Sequence, residues 1–350
     1  MMSTQKIGIL TGGGDCPGLN PAIRAVVRMA SHHHIQVIGF RKGWLGPIIN
    51  ETLALDPHNI DDILLEGGTI LGSSRTNPYK GDPSQIQNIK DNLQKQGMHA
   101  LVAIGGEDTM GVANKLSKEG LNIVGIPKTI DNDLDATDMT LGFPTAVQIA
   151  SDALDRLRST AKSHDRVMIV EIMGRHAGWL TAYSGIAGGA DVILVPEFPK
   201  TIDEICATLE KTSHRGKSYA LIAIAEGAKI LTSDGKEITS ASQTPVDSFG
   251  HVALGGIGDL LKDLLKEKTG RDVRCTVLGH TQRGGTPTAM DRVLSTGLGI
   301  EAFQCILEKD FGKMAALKQG KIQRVSLQEG VGRLKTLSKE FYEFSQQLTG

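Results

Sequence analysis

Ala100-Leu-Val-Ala-Ile104 runs into Gly105-Gly106-Glu107-Asp108-Thr109, and Asn122-Ile-Val-Gly-Ile126 runs into Pro127-Lys128-Thr129-Ile130-Asp131-Asn132-Asp133. These two stretches decide the fold. Each is a short apolar run with a polar turn at its carboxyl end. That is the form of a buried parallel strand, delivering side chains to the edge where open α/β sheets bind ligands. Together the turns supply four carboxylic acids and one lysine within 27 residues. Such a set can hold a divalent cation, take a proton from a hydroxyl and neutralise a phosphate. Asp, Asn and Gly are also ordinary turn residues, so the reading depends on what else the chain carries.

A third segment, Thr11-Gly12-Gly13-Gly14-Asp15-Cys16-Pro17-Gly18-Leu19-Asn20, follows the apolar run Ile7-Gly-Ile-Leu10 and leads into a helical stretch from Pro21 to Ala30. Strand, glycine loop and helix turn backbone N–H groups and a helix N-terminus toward an anion. Successive glycines let the backbone approach a phosphate without a Cβ in the way. The spacing is not that of a dinucleotide fingerprint, and no Gly-Lys-Ser/Thr closes a P-loop.

Working outward, 350 residues suffice for two domains of ordinary size or one large one. Apolar residues make up 40%, enough for real cores, and a formal net charge of −1 provides no field for nucleic acid or a membrane surface. Aromatics at 4% argue against base-stacking platforms. Cys16, Cys206, Cys275 and Cys305 are widely spaced with no CxxC pair, as expected of reduced thiols in a cytoplasmic protein. No apolar stretch reaches membrane-spanning length, and the N-terminus enters a strand too soon to suggest a signal peptide. His32-His33-His34 invites a metal reading. Adjacent histidines cannot all face one ion on a regular element, and they suit a helix C-terminus better.

Strand candidates fall at 6–10, 35–40, 100–104, 122–126, 166–172, 190–195, 219–225 and 273–278. Amphipathic helical stretches fall between them at 84–97, 108–119, 143–162, 201–213 and 251–268. This alternation predicts an α/β protein with mostly parallel sheets and helices on both faces. The long helix at 143–162 reads as the link between two such units, and the cleft between their strand ends is the expected active site. The polar, Gly/Ser/Thr-rich segment 227–250 reads as a surface loop.

The second half adds glycine turns with arginines. Met173-Gly174-Arg175-His176-Ala177-Gly178-Trp179 follows the strand at 166–172, Glu226-Gly227 ends another apolar run, and Gly279-His280-Thr281-Gln282-Arg283-Gly284-Gly285-Thr286-Pro287 follows 273–278. Arg75, Arg166, Arg175, Arg274 and Arg283 each stand beside a strand end or glycine turn. One such arginine suggests a surface salt bridge; five together suggest anion binding, for which arginine is the preferred bidentate partner.

With these segments together the chain resembles the phosphofructokinase family over about residues 6–310. The similarity lies in Gly13–Asn20, Gly72–Arg75, Thr129–Asp133, Met173–Arg175 and Leu278–Gly285, in the family's order; the final 40 residues add no motif. The resemblance implies two Rossmann-like three-layer α/β units with the active site between them. One would be a donor and Mg²⁺ unit of residues 1–142 plus about 282–332. The other would be a sugar-phosphate unit of about 143–281 plus a C-terminal helix, 333–350. It implies that Asp131 is the base for the 1-hydroxyl of fructose 6-phosphate. Thr129 and Ile130 would lie on the sugar turn, and Met173, Gly174 and Arg175 would hold the sugar and the migrating phosphoryl group. Glu226 would accept a sugar hydroxyl, and His280, Thr281, Gln282 and Arg283 would form the segment that binds the 6-phosphate. Arg166 and Arg274 would reach the 6-phosphate of a neighbouring subunit's site in a homodimer or homotetramer.

The donor turns on two positions. ATP-using members resemble Gly-Gly-Asp-Gly-Ser where this chain has Glu107 and Asp108, and commonly have glycine where it has Lys128. Both departures resemble members that use inorganic pyrophosphate. Aspartate at 108 adds volume and negative charge where the α-phosphate of ATP would lie, and a like-charge contact there is unfavourable. Pyrophosphate has no α-phosphate to clash. Lys128 would bind the transferring group and stabilise its transition state. Gly14 and Arg75 would contact the donor's phosphates, and Thr76 after Arg75 offers no adenine platform. Glu107 would hold Mg²⁺, directly or through water, with Asp133 as a supporting acid. An ATP-dependent phosphofructokinase is the alternative. An NAD or lipid kinase shares only the glycine turn, and a sugar-phosphate-binding regulatory subunit would be expected to have lost Asp131, Glu107 or Lys128. Sedoheptulose 7-phosphate stays open as an acceptor. Arg24, Arg28, Arg158 and Lys217 lie where bacterial relatives bind nucleotide effectors, but Tyr219 stands where histidine is expected, so strong allostery is not anticipated.

Overall fold

The computed structural model describes residues 5–238, 255–347 and 349. All eight strand candidates form, seven of them within two residues of their expected ends, while the run expected at 122–126 extends to Thr129. The strands are β1 (Lys6–Thr11), β2 (Gln36–Phe40), β3 (Thr52–Leu55), β4 (Met98–Gly105), β5 (Ile123–Thr129), β6 (Leu141–Gly142), β7 (Val167–Ile172), β8 (Val192–Leu194), β9 (Lys200–Thr201), β10 (Ala220–Ala225), β11 (Ile230–Leu231), β12 (Glu237–Ile238), β13 (Val273–Val277), β14 (Lys313–Lys318) and β15 (Lys321–Ser326). The helices are α1 (Leu19–His32), α2 (Leu45–Ile49), α3 (Ser84–Lys95), α4 (Glu107–Lys118), α5 (Phe143–His164), α6 (Trp179–Ala187), α7 (Ile202–His214), α8 (Ile257–Thr269), α9 (Ala289–Leu307) and α10 (Lys339–Gln346).

The first sheet runs β15-β14-β5-β4-β1-β2-β3, with β6 paired to β5. It is parallel except at its two edges, where β3 and β15 pair antiparallel. The second sheet, β13-β7-β10-β8, is parallel throughout. Side chains alternate along each strand, and here both faces are covered. Ala100, Val102 and Ile104 of β4 pack into the cluster that contains Ile23 and Val26 of α1 and Leu298 of α9. Leu101 and Ala103 pack on the opposite face with Ile89 of α3 and Met110 of α4. That is the physical origin of the unbroken apolar runs.

The first of these clusters continues through Phe143, Ala146 and Leu154 of α5 to Val170 and Ile172 of β7, so α5 joins the two units through one core. Its N-terminus is tied to α9: buried Asp291 accepts hydrogen bonds from the backbone N–H of Gly142 (2.7 Å) and of Thr145 (2.8 Å). Two orphan donors of the helix are satisfied in this way.

Several expectations are corrected. Residues 227–250 are not simply a loop: β11 and β12 form a small sheet with β9, while 239–250 lie outside the described residues. The helix expected at 251–268 begins at Ile257, and 251–254 lie outside the described residues. The linking helix α5 runs on to His164 and ends where Asp165 takes a left-handed φ of 52°. His32 is in the last turn of α1, and the ring of His33 sits 5.5 Å from that of Phe303. The cysteines are all free thiols. Among the described residues no helix is long and apolar enough to cross a membrane.

Candidate functional site

The carboxyl ends of β1, β4 and β5 open into one cleft, lined by Gly13, Gly14, Ser74, Arg75, Thr76, Gly106, Glu107, Asp108, Thr109, Lys128, Thr129, Asp131, Asp133, Arg175 and Arg283. Adjacent parallel strands ending level with one another produce this convergence: β4 lies between β1 and β5, with Thr11 opposite Ile104 and Gly105 opposite Pro127. The three sequence segments read as one site are therefore brought together.

The glycine loop is fixed before any ligand arrives. Gly12 donates to the carbonyl of Ile104 (2.9 Å), Gly13 donates to that of Ser74 (3.2 Å), and the Ser73 hydroxyl donates to the Gly13 carbonyl. Gly13 has a φ of +79°, which only glycine adopts without strain. A Cβ on Gly14 would collide with the Arg283 guanidinium, so the arginine packs directly on bare backbone. Arg283 also donates to the Asp15 carbonyl (3.3 Å). In this way a residue after β13 reaches across to the loop after β1.

Lys128 is 3% exposed, and its ammonium donates to the Gly14 carbonyl. Burial lowers its pKa, Arg283 pushes the same way, and Cys16, Asp131 and Asp15 oppose the shift. Asp131 is 6% exposed, and its Oδ1 is buried with no hydrogen-bond partner. An orphan acceptor of this kind is costly unless something in the working site satisfies it. The turn after it is held by Asn132, at a φ of 53°, whose side chain accepts from Thr140 N–H (3.1 Å) and donates to the Asp138 carbonyl (3.3 Å). Burial and the neighbouring Asp131 push the Asp133 carboxyl up to about 7.

Glu107 and Asp108 occupy the first turn of α4, where the helix dipole favours carboxylates. Both are exposed at the mouth of the cleft. Glu107 Oε1 accepts a hydrogen bond from Gly332 N–H at 3.3 Å. Among the described residues no group of three or more His, Cys, Asp or Glu could hold a metal by itself. A carboxylate at the mouth, with an unpartnered buried acid behind it, still fits Mg²⁺, which takes few protein ligands and completes its shell with water and phosphate oxygens.

On the far side of the cleft, Glu226 accepts from the backbone N–H of Gly174 (3.3 Å) and of Arg175 (3.1 Å), and burial raises its pKa. This holds Arg175 at a left-handed φ of 50°, with its side chain in the cleft. Gln282 is fully buried; it accepts from Met173 N–H (3.4 Å) and donates to the Gly279 carbonyl (3.1 Å), joining two expected sugar segments from behind. Ile130 is also fully buried, so a sugar could meet only its backbone. His280 and Thr281 are exposed outside the cleft lining. Arg166 and Arg274 do not line the cleft either. They share Asp272, at 2.6 and 3.2 Å, on the edge of the second sheet.

Of the basic residues at the expected effector positions, Arg24 and Arg28 bond to Asp61, Arg158 to the Gly188 carbonyl, and Lys217 to Asp191 (2.6 Å). The C-terminal helix expected at 333–350 begins only at Lys339, and the non-helical segment 332–337 before it, which the sequence reading did not place in the site, reaches Glu107 and the Asp131–Asp138 turn. It carries no motif, and only its position in space gives it away.

A family model described as phosphofructokinase matches residues 6–306. The chain is 52% identical over 348 residues to the pyrophosphate–fructose 6-phosphate 1-phosphotransferase of Amycolatopsis methanolica, covering 99% of this chain and 100% of that relative. It is 46% identical over 351 residues to the ATP-dependent 6-phosphofructokinase of Corynebacterium efficiens, covering 100% of both. Among solved structures, the phosphofructokinase of Saccharomyces cerevisiae matches with a TM-score of 0.81 at 31% identity, covering 93% of this chain and 44% of the longer yeast chain.

Proposed function

The chain belongs to the phosphofructokinase family, and from that premise we propose that it is a pyrophosphate-dependent phosphotransferase. It moves a phosphoryl group from pyrophosphate to the 1-hydroxyl of fructose 6-phosphate, giving fructose 1,6-bisphosphate and phosphate, reversibly. The single observation carrying the donor choice is Asp108 in the first turn of α4, on the same cleft wall as Gly13, Gly14 and Arg75. Its carboxylate sets a negative charge where a longer polyphosphate would continue past its reacting end. Nucleotide and pyrophosphate enzymes both occur among the relatives, so overall identity decides less than this position does.

Asp131 accepts the proton of the attacking hydroxyl through its unpartnered oxygen. The hydroxyl oxygen forms a bond to phosphorus as the bond from phosphorus to the bridging oxygen breaks, and phosphate leaves. Lys128 and Arg175 face the charge that spreads over the transferring group, and phosphoryl transfer depends chiefly on such positioning and charge stabilisation. Gly14 and Arg75 take the donor's phosphates. When bound, Mg²⁺ held at Glu107 would neutralise pyrophosphate oxygens. Thr129, Glu226, Met173 and Gly174 orient the sugar, and His280, Thr281 and Arg283 bind its 6-phosphate. In a homodimer or homotetramer, Arg166 and Arg274 turn outward to the neighbouring site; their place away from their own cleft, Arg274 on the edge strand β13 and Arg166 just before its neighbour β7, supports this. Residues 1–142 with about 282–332 form the donor side, and about 143–281 with 333–350 the sugar side. The enzyme works in the cytoplasm.

Asp108→Gly tests the donor reading. The variant is expected to lose pyrophosphate-dependent turnover and to gain measurable turnover with ATP. Unchanged pyrophosphate kinetics with ATP still excluded would remove Asp108 from the donor account.

A further inference from the structure

We propose that Lys335 is a positioning residue for the proton acceptor, fixing the turn from Asp131 to Asp138 against the sugar side of the cleft. The proposal rests on the reading above, in which Asp131 takes the hydroxyl proton. It arises from one residue having partners on two walls. Lys335 N–H donates to the Asp133 carbonyl (2.8 Å), and its ammonium donates to the carbonyls of Thr137 (2.9 Å) and Asp138 (2.7 Å). Its own carbonyl accepts from Trp179 Nε1 (2.9 Å), and the ammonium lies 5.3 Å from the centre of that indole ring. Trp179 opens α6, four residues after Arg175. The turn bearing the base and the segment bearing the phosphoryl-binding arginine thus meet on one side chain and its peptide.

Neighbouring residues of the same strap reinforce it. Gly332 N–H holds Glu107, Leu334 bridges to Leu134, and Leu337 N–H donates to Glu197 (2.8 Å), whose carboxylate also accepts from Gly178 N–H (2.9 Å). The strap is anchored in turn by Phe341 of α10, whose ring stacks on that of Tyr183 at 5.0 Å and lies tilted against that of Trp179 at 5.5 Å.

A purely structural role for Lys335 makes a different prediction. The turn has other supports: Asp138 N–H donates to the Leu317 carbonyl (2.7 Å), and Asn132 braces Thr140. Removing the ammonium should therefore leave the turn formed but less closely placed. Catalysis is sensitive to this, since a misplacement of about 1 Å can cost on the order of a hundredfold.

The test compares Lys335→Met and Lys335→Arg with the unaltered protein, in pyrophosphate-dependent turnover and in hydrogen exchange of the amides from 131 to 140. Lys335→Met is expected to lower kcat about ten- to a hundredfold with little change in KM for fructose 6-phosphate. Exchange should quicken in the turn and not in β5, and Lys335→Arg should restore most of the rate. If Lys335→Met does not fold, Trp179→Phe loosens the strap from the other wall and should reproduce the split and the faster exchange in weaker form. Unchanged exchange in the turn, unchanged kcat, or an arginine variant as impaired as the methionine one would overturn the proposal. Absence of turnover in the unaltered protein would instead condemn the functional reading, leaving the exchange result to decide the positioning role.

Discussion

Asp131→Asn lowers kcat by about 10²–10⁴, the range that a positioned general base contributes, while KM for fructose 6-phosphate changes little. Asparagine matches aspartate in size and keeps an oxygen where Oδ1 stands, so the turn should survive. Its conformation is set by Asn132 and by the backbone bond from Asp131 N–H to the Thr129 hydroxyl (3.1 Å), neither of which needs the carboxylate. What disappears is the ability to take the hydroxyl proton. The oxygen in question is buried and has no protein partner, which is the condition of an acceptor awaiting a substrate donor. Steady-state kinetics together with sugar binding by calorimetry check the expectation. A variant retaining most of its kcat would assign proton transfer elsewhere, with the neighbouring Asp133, a carboxyl pushed up to about 7, as the first candidate.

Lys128→Met removes the one cation buried at the bottom of the cleft among the described residues that line it. Loss of a preorganised charge-stabilising donor costs about 10²–10³ in kcat, and this lysine also ties the Gly14 carbonyl to β5. Methionine fills nearly the same volume, so the core around Cys16 and Leu141 should hold. Because burial already lowers the lysine's pKa, its charge comes at a desolvation cost, which the arrival of a polyanion would offset. The expected result is a large fall in kcat together with weaker pyrophosphate binding, measured by kinetics and by direct titration of pyrophosphate. An effect confined to KM would mean that the ammonium holds the donor equally in the ground and transition states.

Much of this was legible in the sequence because buried parallel strands leave a plain trace. β1, β4, β5, β7 and β10 carry unbroken apolar runs that lead into a glycine or an acid within two residues of the strand end; all lie within two residues of the expected ends except β5, which extends three residues further to Thr129. The helix α9 was missed for the opposite reason. Leu294, Leu298, Phe303 and Ile306 pack inward while Met290, Val293 and Ile300 stay exposed, so no polar stripe marks its period. The small strands β11 and β12 are two residues each, too short for alternation to register. In the site, the residues on strand-end turns were readable from type and spacing. The bracing by Gln282, Glu197 and Lys335 was not, since it depends on which backbone groups approach in space over separations of up to 202 residues between Lys335 and Asp133.

The most direct test of the central claim is fructose 1,6-bisphosphate formation from fructose 6-phosphate and Mg²⁺, with pyrophosphate and ATP offered in parallel reactions. The account predicts turnover with pyrophosphate and none of consequence with ATP. Turnover with ATP alone would leave the fold and the family standing and contradict the donor assignment at Asp108.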